Sequence, residues 1–311
     1  MIDSNSKILD TTLNLFKEDI SDSIKLGIVQ LKADYSINIV NICFMNMFFY
    51  KKDELQNKSI KLLFKTDDFK TLENHMKTID EEKNISIIEN FKLNGLRQNK
   101  TIIPLEITIF KFSNNLKHMF ILIMKDISEF KKSIKDLQYR AYYDQLTQIP
   151  NRTLFSDRAE TAIRIARRED EKIAIVYIDI DEFKIINDTM GHEGGDIVLK
   201  ELSKRFQESV RDSDTVSRVG GDEFAILMLK ITSYKDPAIV AKRILKSNLL
   251  SIKINNKYFS PKTSIGISIF PKDGNNFNKL LKNADKAMYC AKRNGKNQYL
   301  FYKSNMIGAG N

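Results

Sequence analysis

The stretch "SRVGGDEFAILM", Ser217 to Met228, carries apolar, β-prone residues on both sides of a short break. That pattern reads as two strands joined by a tight turn at Gly220-Gly221, with Phe224 starting the return strand. Asp222 and Glu223 follow the glycines directly. Reversing a chain does not require an acidic tip, so the tip calls for a charged partner.

A second acidic cluster, "YIDIDEF" (177–183), closes the apolar run "KIAIVYIDID" (172–181), which reads as a buried strand. Alternation along a strand puts Asp179 and Asp181 on one face and Ile180 on the other. If the two strands are neighbours, Asp179 meets the Asp222-Glu223 tip at one sheet edge. Carboxylates gathered so closely repel one another unless a cation neutralises them. All-oxygen ligation suits Mg2+ or Mn2+, and Mg2+ commonly joins a few carboxylates to substrate phosphates. On these residues alone, a solvated acidic turn is the plain alternative.

The chain of 311 residues is long enough for two domains, and its 42% apolar content supports buried cores. Its net charge of +10 and pI near 9.3 fit a nucleic-acid binder, an anionic ligand or a lysine-rich solvated surface. Without a dense basic run or aromatic-basic interleaving the last is favoured, and no nucleic-acid partner is expected. Cys43 and Cys290 suggest no disulfide framework. Residues 1–20 lack the order of a signal peptide. The greasy stretch "INIVNICFMNMFFY" (37–50) is shorter than the ~20 residues of a membrane span. The expectation is a bacterial cytoplasmic protein with no transmembrane segment.

Five segments are expected. Residues 1–21 carry Leu9, Leu13, Phe16 and Ile20 on one face of an amphipathic helix. Residues 22–128 mix strand-like runs with small helices. Ile127, Phe130, Ile134, Leu137 and Ala141 mark a helical connector over 129–143, too short to establish a coiled coil alone. Residues 144–303 alternate longer helices with strands, and 304–311 form a frayed tail.

Five motifs in order carry a resemblance: "DQLTQIPNR" (144–152), "DIDEFKIINDTMGHEGGD" (179–196), "RVGGDEF" (218–224), "SIGIS" (264–268) and "AMYCAKRNGKN" (287–297). Over about residues 140–303 the chain resembles the GGDEF family, the diguanylate cyclases. The resemblance implies an α/β (α+β) domain with a central sheet flanked by helices, like a polymerase palm or nucleotidyl cyclase. It implies condensation of two GTP into cyclic di-GMP plus pyrophosphate across a homodimer, with two Mg2+ (or Mn2+) per active site. By resemblance the metal set is Asp179, Glu223 and the carbonyl of Ile180, with Asp222 as a further ligand or as the base for the 3′-hydroxyl. Asp196 and Asn187 match the guanine-recognition pair. Gly220 and Gly221 let backbone approach the nucleotide. Backbone N–H groups around Glu182 and Phe183 would cradle phosphate at a helix start, helped by Lys292, Lys296 and, less directly, Lys184. Many members carry Arg where Lys296 stands, so bidentate contact is lost there. His192 is read as a structural neighbour of the substrate site. Arg211 and Asp214 match the family's RxxD inhibitory site for bound product, with Arg218 as an added contact.

Residues 22–128 resemble a PAS sensory domain. "VNICFMNMFFYKKDEL" (40–55) follows the Asn-led helix that ends in a Gly-Tyr pair, with Phe49 in place of the glycine, and "MKDISEFKK" (124–132) resembles the exit into a linker. The PAS ligand is unknown; no flavin-binding cysteine motif is visible, and His75 and His118 read as ordinary residues. Three rivals remain on sequence: a GGDEF domain that only senses nucleotide, a polymerase or cyclase cousin using the same carboxylates, and a DNA-binding regulator resting on charge.

Overall fold

The computed structural model describes residues 25–81, 87–114, 117–254 and 257–306. The helix expected over 1–21 lies outside them, as does the tail from 307. The chain divides into two compact units, Met1–Lys135 and Asp136–Asn311.

The first unit runs β1 (Leu26–Lys32), β2 (Ile37–Val40), α1 (Ile42–Phe48), α2 (Lys52–Leu55), a 3-10 turn (Ile60–Leu63), α3 (Thr66–Glu81), β3 (Ile87–Leu96), β4 (Ile102–Asn114) and β5 (Lys117–Asp126). Its antiparallel sheet has the order β2-β1-β5-β4-β3. One core gathers Leu31, Leu105 and Met124 from the sheet with Phe44, Phe48, Leu55, Leu63, Leu72 and Met76 from the helical side. Asn41 is buried yet fully used. Its Oδ1 accepts from Phe44 N and Ile28 N, both at 2.9 Å, and its Nδ2 donates to Leu26 O at 2.8 Å. One side chain thus caps α1 and staples it to β1. Phe49 stands where the PAS pattern has glycine, and it keeps the glycine's conformation, φ 64° and ψ 33°. The Arg97 guanidinium lies 4.9 Å from its ring centroid, a cation–π contact that offsets part of the left-handed strain.

Asp126 ends this unit with two contacts: its Oδ1 accepts from Ser128 N at 2.8 Å, and its Oδ2 meets Arg97 at 3.3 Å. Helix α4 (Ser128–Tyr142) follows, over the segment expected as the connector.

The second unit continues α5 (Arg152–Glu169), β6 (Lys172–Ile180), α6 (Phe183–Glu208), β7 (Thr215–Arg218), β8 (Glu223–Ile231), α7 (Lys235–Ser247), β9 (Ile252–Ile254), β10 (Lys257–Phe259), β11 (Thr263–Phe270), α8 (Phe277–Arg293) and β12 (Tyr299–Phe301). The sheet order is β12-β11-β6-β8-β7, antiparallel except for β11–β12. Helices cover both faces, which is why β6 reads as an unbroken apolar run. Val176 and Ile178 pack with Val198, Leu202, Phe206 and Ile244 of α6 and α7. Ile175 and Tyr177 pack with Phe155, Ala159, Ala284 and Met288 of α5 and α8. The α/β organisation expected for this half, a central sheet flanked by helices, is observed. The β9–β10 hairpin and edge strand β12 were not expected; three-residue strands are too short to show a period.

Helix α8 lies unusually close to β11 at Gly266. A Cβ there would fall on the Ala284 carbonyl and the Met288 amide and lie 2.9 Å from the Ala287 carbonyl carbon. Backbone cannot step aside as a side chain can. Gly266→Ala should therefore cost ~3 kcal/mol or more, a fall of ~6–12 °C in the melting temperature. A melting curve matching wild type contradicts this close approach.

Candidate active site

The acidic tip and the end of β6 meet. Asp179 pairs in register with Glu223 across β6–β8, and the Ile180 N–H donates to the Asp222 carbonyl at 3.2 Å. The two side chains share the α5/α8 face, while Ile180 points into the opposite core. The turn differs slightly from the sequence reading. The loop is Val219–Asp222 and Glu223 already belongs to β8, because its partner on β6 holds it in the ladder. Val219 N and Gly220 N both donate to the Glu223 carbonyl, at 2.9 and 3.3 Å. A Cβ on Gly220 would collide with the Glu223 carboxylate, so the glycine makes room for that side chain.

Arg218 fastens the loop from outside. Its Nε and Nη2 donate to the Gly221 carbonyl at 3.0 and 2.6 Å, and its Nη1 meets Asp144 Oδ1 at 3.1 Å. Asp144 also accepts from Thr147 N and Oγ1 at 2.9 and 2.6 Å. Burial pushes the Asp144 carboxyl up, but the Thr147 hydrogen bonds and Arg218 outweigh it and hold it below its ordinary range. Asn151 closes the same strap: it caps α5 through Thr153 N and Leu154 N and donates to the Ala141 carbonyl at 2.9 Å. The motif 144–152 thus ties the end of α4 to the acidic hairpin. The sequence reading has Arg218 as an added contact to bound product; in the free chain its guanidinium holds the Gly221 carbonyl and Asp144.

Asp179 is 5% exposed, and its Oδ1 lies 2.6 Å from Lys292 Nζ. The angles fall short of a hydrogen bond, and that oxygen has no hydrogen-bond partner. Asp181, on the same face, is fully occupied: Ser264 Oγ donates to Oδ1 at 2.7 Å and Asn297 N to Oδ2 at 3.0 Å. It ties β11 to the turn that precedes β12. Tyr177 lies two residues back on that face, its phenol pushed up by burial, then by the charges of Glu223 and Asp285. Neither Tyr177 nor Asp285 stood out in the sequence, where both read as core or helix-surface residues.

Among the described residues no three His, Cys, Asp or Glu side chains group closely enough to hold a metal ion by themselves. The donor set still suits a divalent cation completed by substrate. Asp179 offers a buried oxygen paired with the Lys292 ammonium, Glu223 lies abreast of it, and Mg2+ typically takes one or two carboxylates plus phosphate oxygens.

Helix α6 breaks at Gly191, φ 76° and ψ 168°. The break folds Asn187 over Gly195, where a Cβ would collide with Asn187 Oδ1 and come within 3.2 Å of the Phe183 ring. Asn187 is thereby brought against Gly195, the residue preceding the exposed Asp196. Lys184 and His192 are exposed on the two pieces of the same helix. Lys296 Nζ donates to Glu182 Oε1 at 2.7 Å.

Arg211 and Asp214 line a small cavity of about 80 Å3 on the other side of the unit. The Asp214 carboxylate accepts from Leu229 N at 3.1 Å and Arg211 N at 3.3 Å. Asp236 and Arg243 of α7 line the same cavity; lying 22 and 29 residues beyond Asp214, they carried no signal in the sequence.

The family model for "Diguanylate cyclase, GGDEF domain" matches residues 141–298, and one for the PAS domain matches 25–129. The bifunctional diguanylate cyclase/cyclic di-GMP phosphodiesterase MucR of Pseudomonas aeruginosa is 40% identical over 172 residues, 55% of this chain and 25% of that protein. The diguanylate cyclase TpbB of the same species is 36% identical over 179 residues, 56% of this chain and 41% of that protein. The chain therefore spans well under half the length of these two relatives. The solved GGDEF domain of TpbB aligns with a TM-score of 0.52 at 38% identity, covering 53% of this chain and 96% of that one. Among the described residues no helix is long and apolar enough to cross a membrane.

Burial is the largest influence on Asp179 and lifts its pKa from 3.8 to about 6; Lys292 opposes the rise, while Asp222 and Glu223 add to it. The folded chain thus favours the protonated form, so the stability linked to this group is full below about pH 4 and is lost as pH rises through about 6. The cost of holding Asp179 ionised is on the order of 1 kcal/mol or more at neutral pH. Without metal, Asp179→Asn should raise the melting temperature by ~2–4 °C at pH 7.5 and by less at pH 5. An equal or larger gain at pH 5 contradicts the assigned burial cost.

Proposed function

This chain belongs to the GGDEF family, and on that footing we propose that it joins two GTP molecules into cyclic di-GMP. The observation carrying the proposal is the Asp179–Glu223 pair, two carboxylates in register at one sheet edge, with the buried Asp179 oxygen ion-paired to Lys292 where a divalent cation could take its place. Divalent cations, Mg2+ or Mn2+ and two per site as in the family, would neutralise the phosphates and polarise the α-phosphorus. Asp179, Glu223, the Ile180 carbonyl and Asp222 would hold them.

The chain's own groups do the rest. Lys292 and Lys296 supply positive charge to the triphosphate, and N–H groups at the start of α6 around Glu182 and Phe183 donate to its oxygens. Asp196 accepts from guanine N1–H and N2–H, and Asn187, folded back by the kink, completes the reading of that edge; adenine lacks this donor pair. The 3′-hydroxyl of one nucleotide attacks the α-phosphorus of the other. The new P–O bond forms as the bond to the β-phosphate oxygen breaks, pyrophosphate leaves, and the hydroxyl proton goes to Asp222 where that carboxylate serves as base rather than as metal ligand. A second, reciprocal transfer closes the ring, which requires two copies face to face.

The PAS unit would regulate this pairing through α4, which exposes Phe130, Ile134 and Leu137 at helical spacing, a seam suited to a second copy. Product inhibition is assigned to Arg211 and Asp214, now joined by Arg243 from the same cavity. Arg suits phosphate or the guanine O6/N7 edge.

Incubating the full chain with GTP and Mg2+ should give cyclic di-GMP and pyrophosphate by nucleotide chromatography. The Asp222→Ala, Glu223→Ala double variant should lower the rate at least ~100-fold, the scale of lost charge stabilisation in a transition state. Product formation by the double variant at the wild-type rate defeats the site assignment. Arg211→Ala should raise the product concentration needed for half-inhibition at least ~10-fold, as for the loss of one charged contact, while turnover persists. Unchanged inhibition removes Arg211 from the regulatory site.

A further inference from the structure

Both lysines given to phosphate are held by carboxylates in the free chain, yet only one of those carboxylates belongs to the metal set. Lys292 rests on Asp179. Lys296 rests on Glu182, with Nζ 2.7 Å from Oε1, and the family resemblance assigns no role to the Glu182 side chain.

Two stiff turns present this second pair. Glu182 immediately precedes α6 at φ 59° and ψ 29°. Lys296 is the middle of three consecutive left-handed residues, with φ 109° at Gly295, 61° at Lys296 and 45° at Asn297. Residues with a Cβ avoid that region, so both backbones must be held by their surroundings. Asp181 takes the Ser264 hydroxyl and the Asn297 amide. Lys296 N donates to the Ala291 carbonyl at 3.1 Å, and Gln298 Nε2 donates to the carbonyls of Ala291 and Asn294 at 3.0 and 2.7 Å. The backbones are fixed while the side chains are not, being 42% exposed at Lys296 and 58% at Glu182. A cleft of about 340 Å3 opens beside the pair, lined by Ile186, Met190, Phe259 and Lys262 among others.

We propose that Glu182 is a positioning residue that parks Lys296 in the nucleotide-free chain, so that an incoming triphosphate must exchange this carboxylate for its own oxygens. The proposal rests on the reading that Lys296 meets phosphate. An exposed pair is weak, and a binding-competent state that is only part-populated lowers the apparent affinity by that fraction. The parked contact therefore weakens nucleotide binding by a few-fold and favours ligands with enough negative charge to win the exchange.

Calorimetric titration of the full chain with the α,β-methylene analogue of GTP and Mg2+ tests this on wild type, Glu182→Gln, Lys296→Met and the double variant. Glu182→Gln keeps the length of the side chain, Lys296→Met keeps all but its terminal atom, and both keep the β-carbon, so the left-handed turns are little perturbed; melting curves check this. Glu182→Gln should bind ~2–5-fold tighter and Lys296→Met more weakly than wild type. In the Lys296→Met background, the Glu182 substitution should change affinity less than ~1.5-fold, since no lysine remains to release. An equal gain in both backgrounds would reveal general repulsion and overturn the parking role, as would no gain in wild type. Undiminished binding by Lys296→Met alone would instead overturn the phosphate assignment on which the proposal stands.

Discussion

Two carboxylates held side by side by a β-ladder are the constraint around which the second unit is arranged. Asp179 and Glu223 are registered partners on neighbouring strands, a position where like charges destabilise a sheet. Burial of Asp179 makes the opposition stronger. The fold counters it with nearby positive charge from Lys292, with room for Glu223 over Gly220, and with Arg218 gripping the Gly221 carbonyl. Its main resource is farther off. β6 is packed on both faces, by α6 and α7 on one side and α5 and α8 on the other, so the strand ends cannot drift apart to relieve the repulsion. Local rules broken where chemistry is expected, and kept elsewhere, are characteristic of functional sites.

Much of this was legible because it depends on period and order. The apolar run ending at Asp179 and the two-residue alternation gave the strand, its face and the meeting with the hairpin. What remained hidden depends on contacts distant in sequence. Asp181 looks equivalent to Asp179 in the sequence, but Ser264 and Asn297, 83 and 116 residues away, occupy both its oxygens. Arg218 looks like an available cation until Asp144 is placed against it. Glu223 looks like part of a turn until its partner on β6 draws it into the strand. Phe49 shows the reverse case: the departure from glycine is visible in sequence, but only Arg97 over the ring shows how it is tolerated.

The kink in α6 explains a second set of positions. Read as one helix, residues 183–208 have no consistent apolar face, because the rotation at Gly191 changes which side faces the sheet. The same rotation brings Asn187 against Gly195, the residue preceding Asp196. The two residues proposed to read the base are therefore positioned by a break in secondary structure, and Gly191 and Gly195 of "GHEGGD" are needed by the backbone and by Asn187.

The electrostatics around the sheet edge combine a rigid part with an exchangeable one. Backbone N–H groups at the start of α6 are fixed by the left-handed Glu182 and the Asp181 lock, so they need no rearrangement to meet an anion. Lys292 and Lys296 already satisfy carboxylates, and each must give up that contact to serve another. On the proposed reading, a divalent cation held by Asp179 would carry more charge than the Lys292 ammonium and would release it toward the anion bound with the cation. Entry of metal and nucleotide together would then be easier than entry of either alone, because each would free what the other requires. The chain's net charge of +10 contributes little to such an exchange at ordinary ionic strength, where screening acts within ~8–10 Å; the paired groups at the sheet edge govern it.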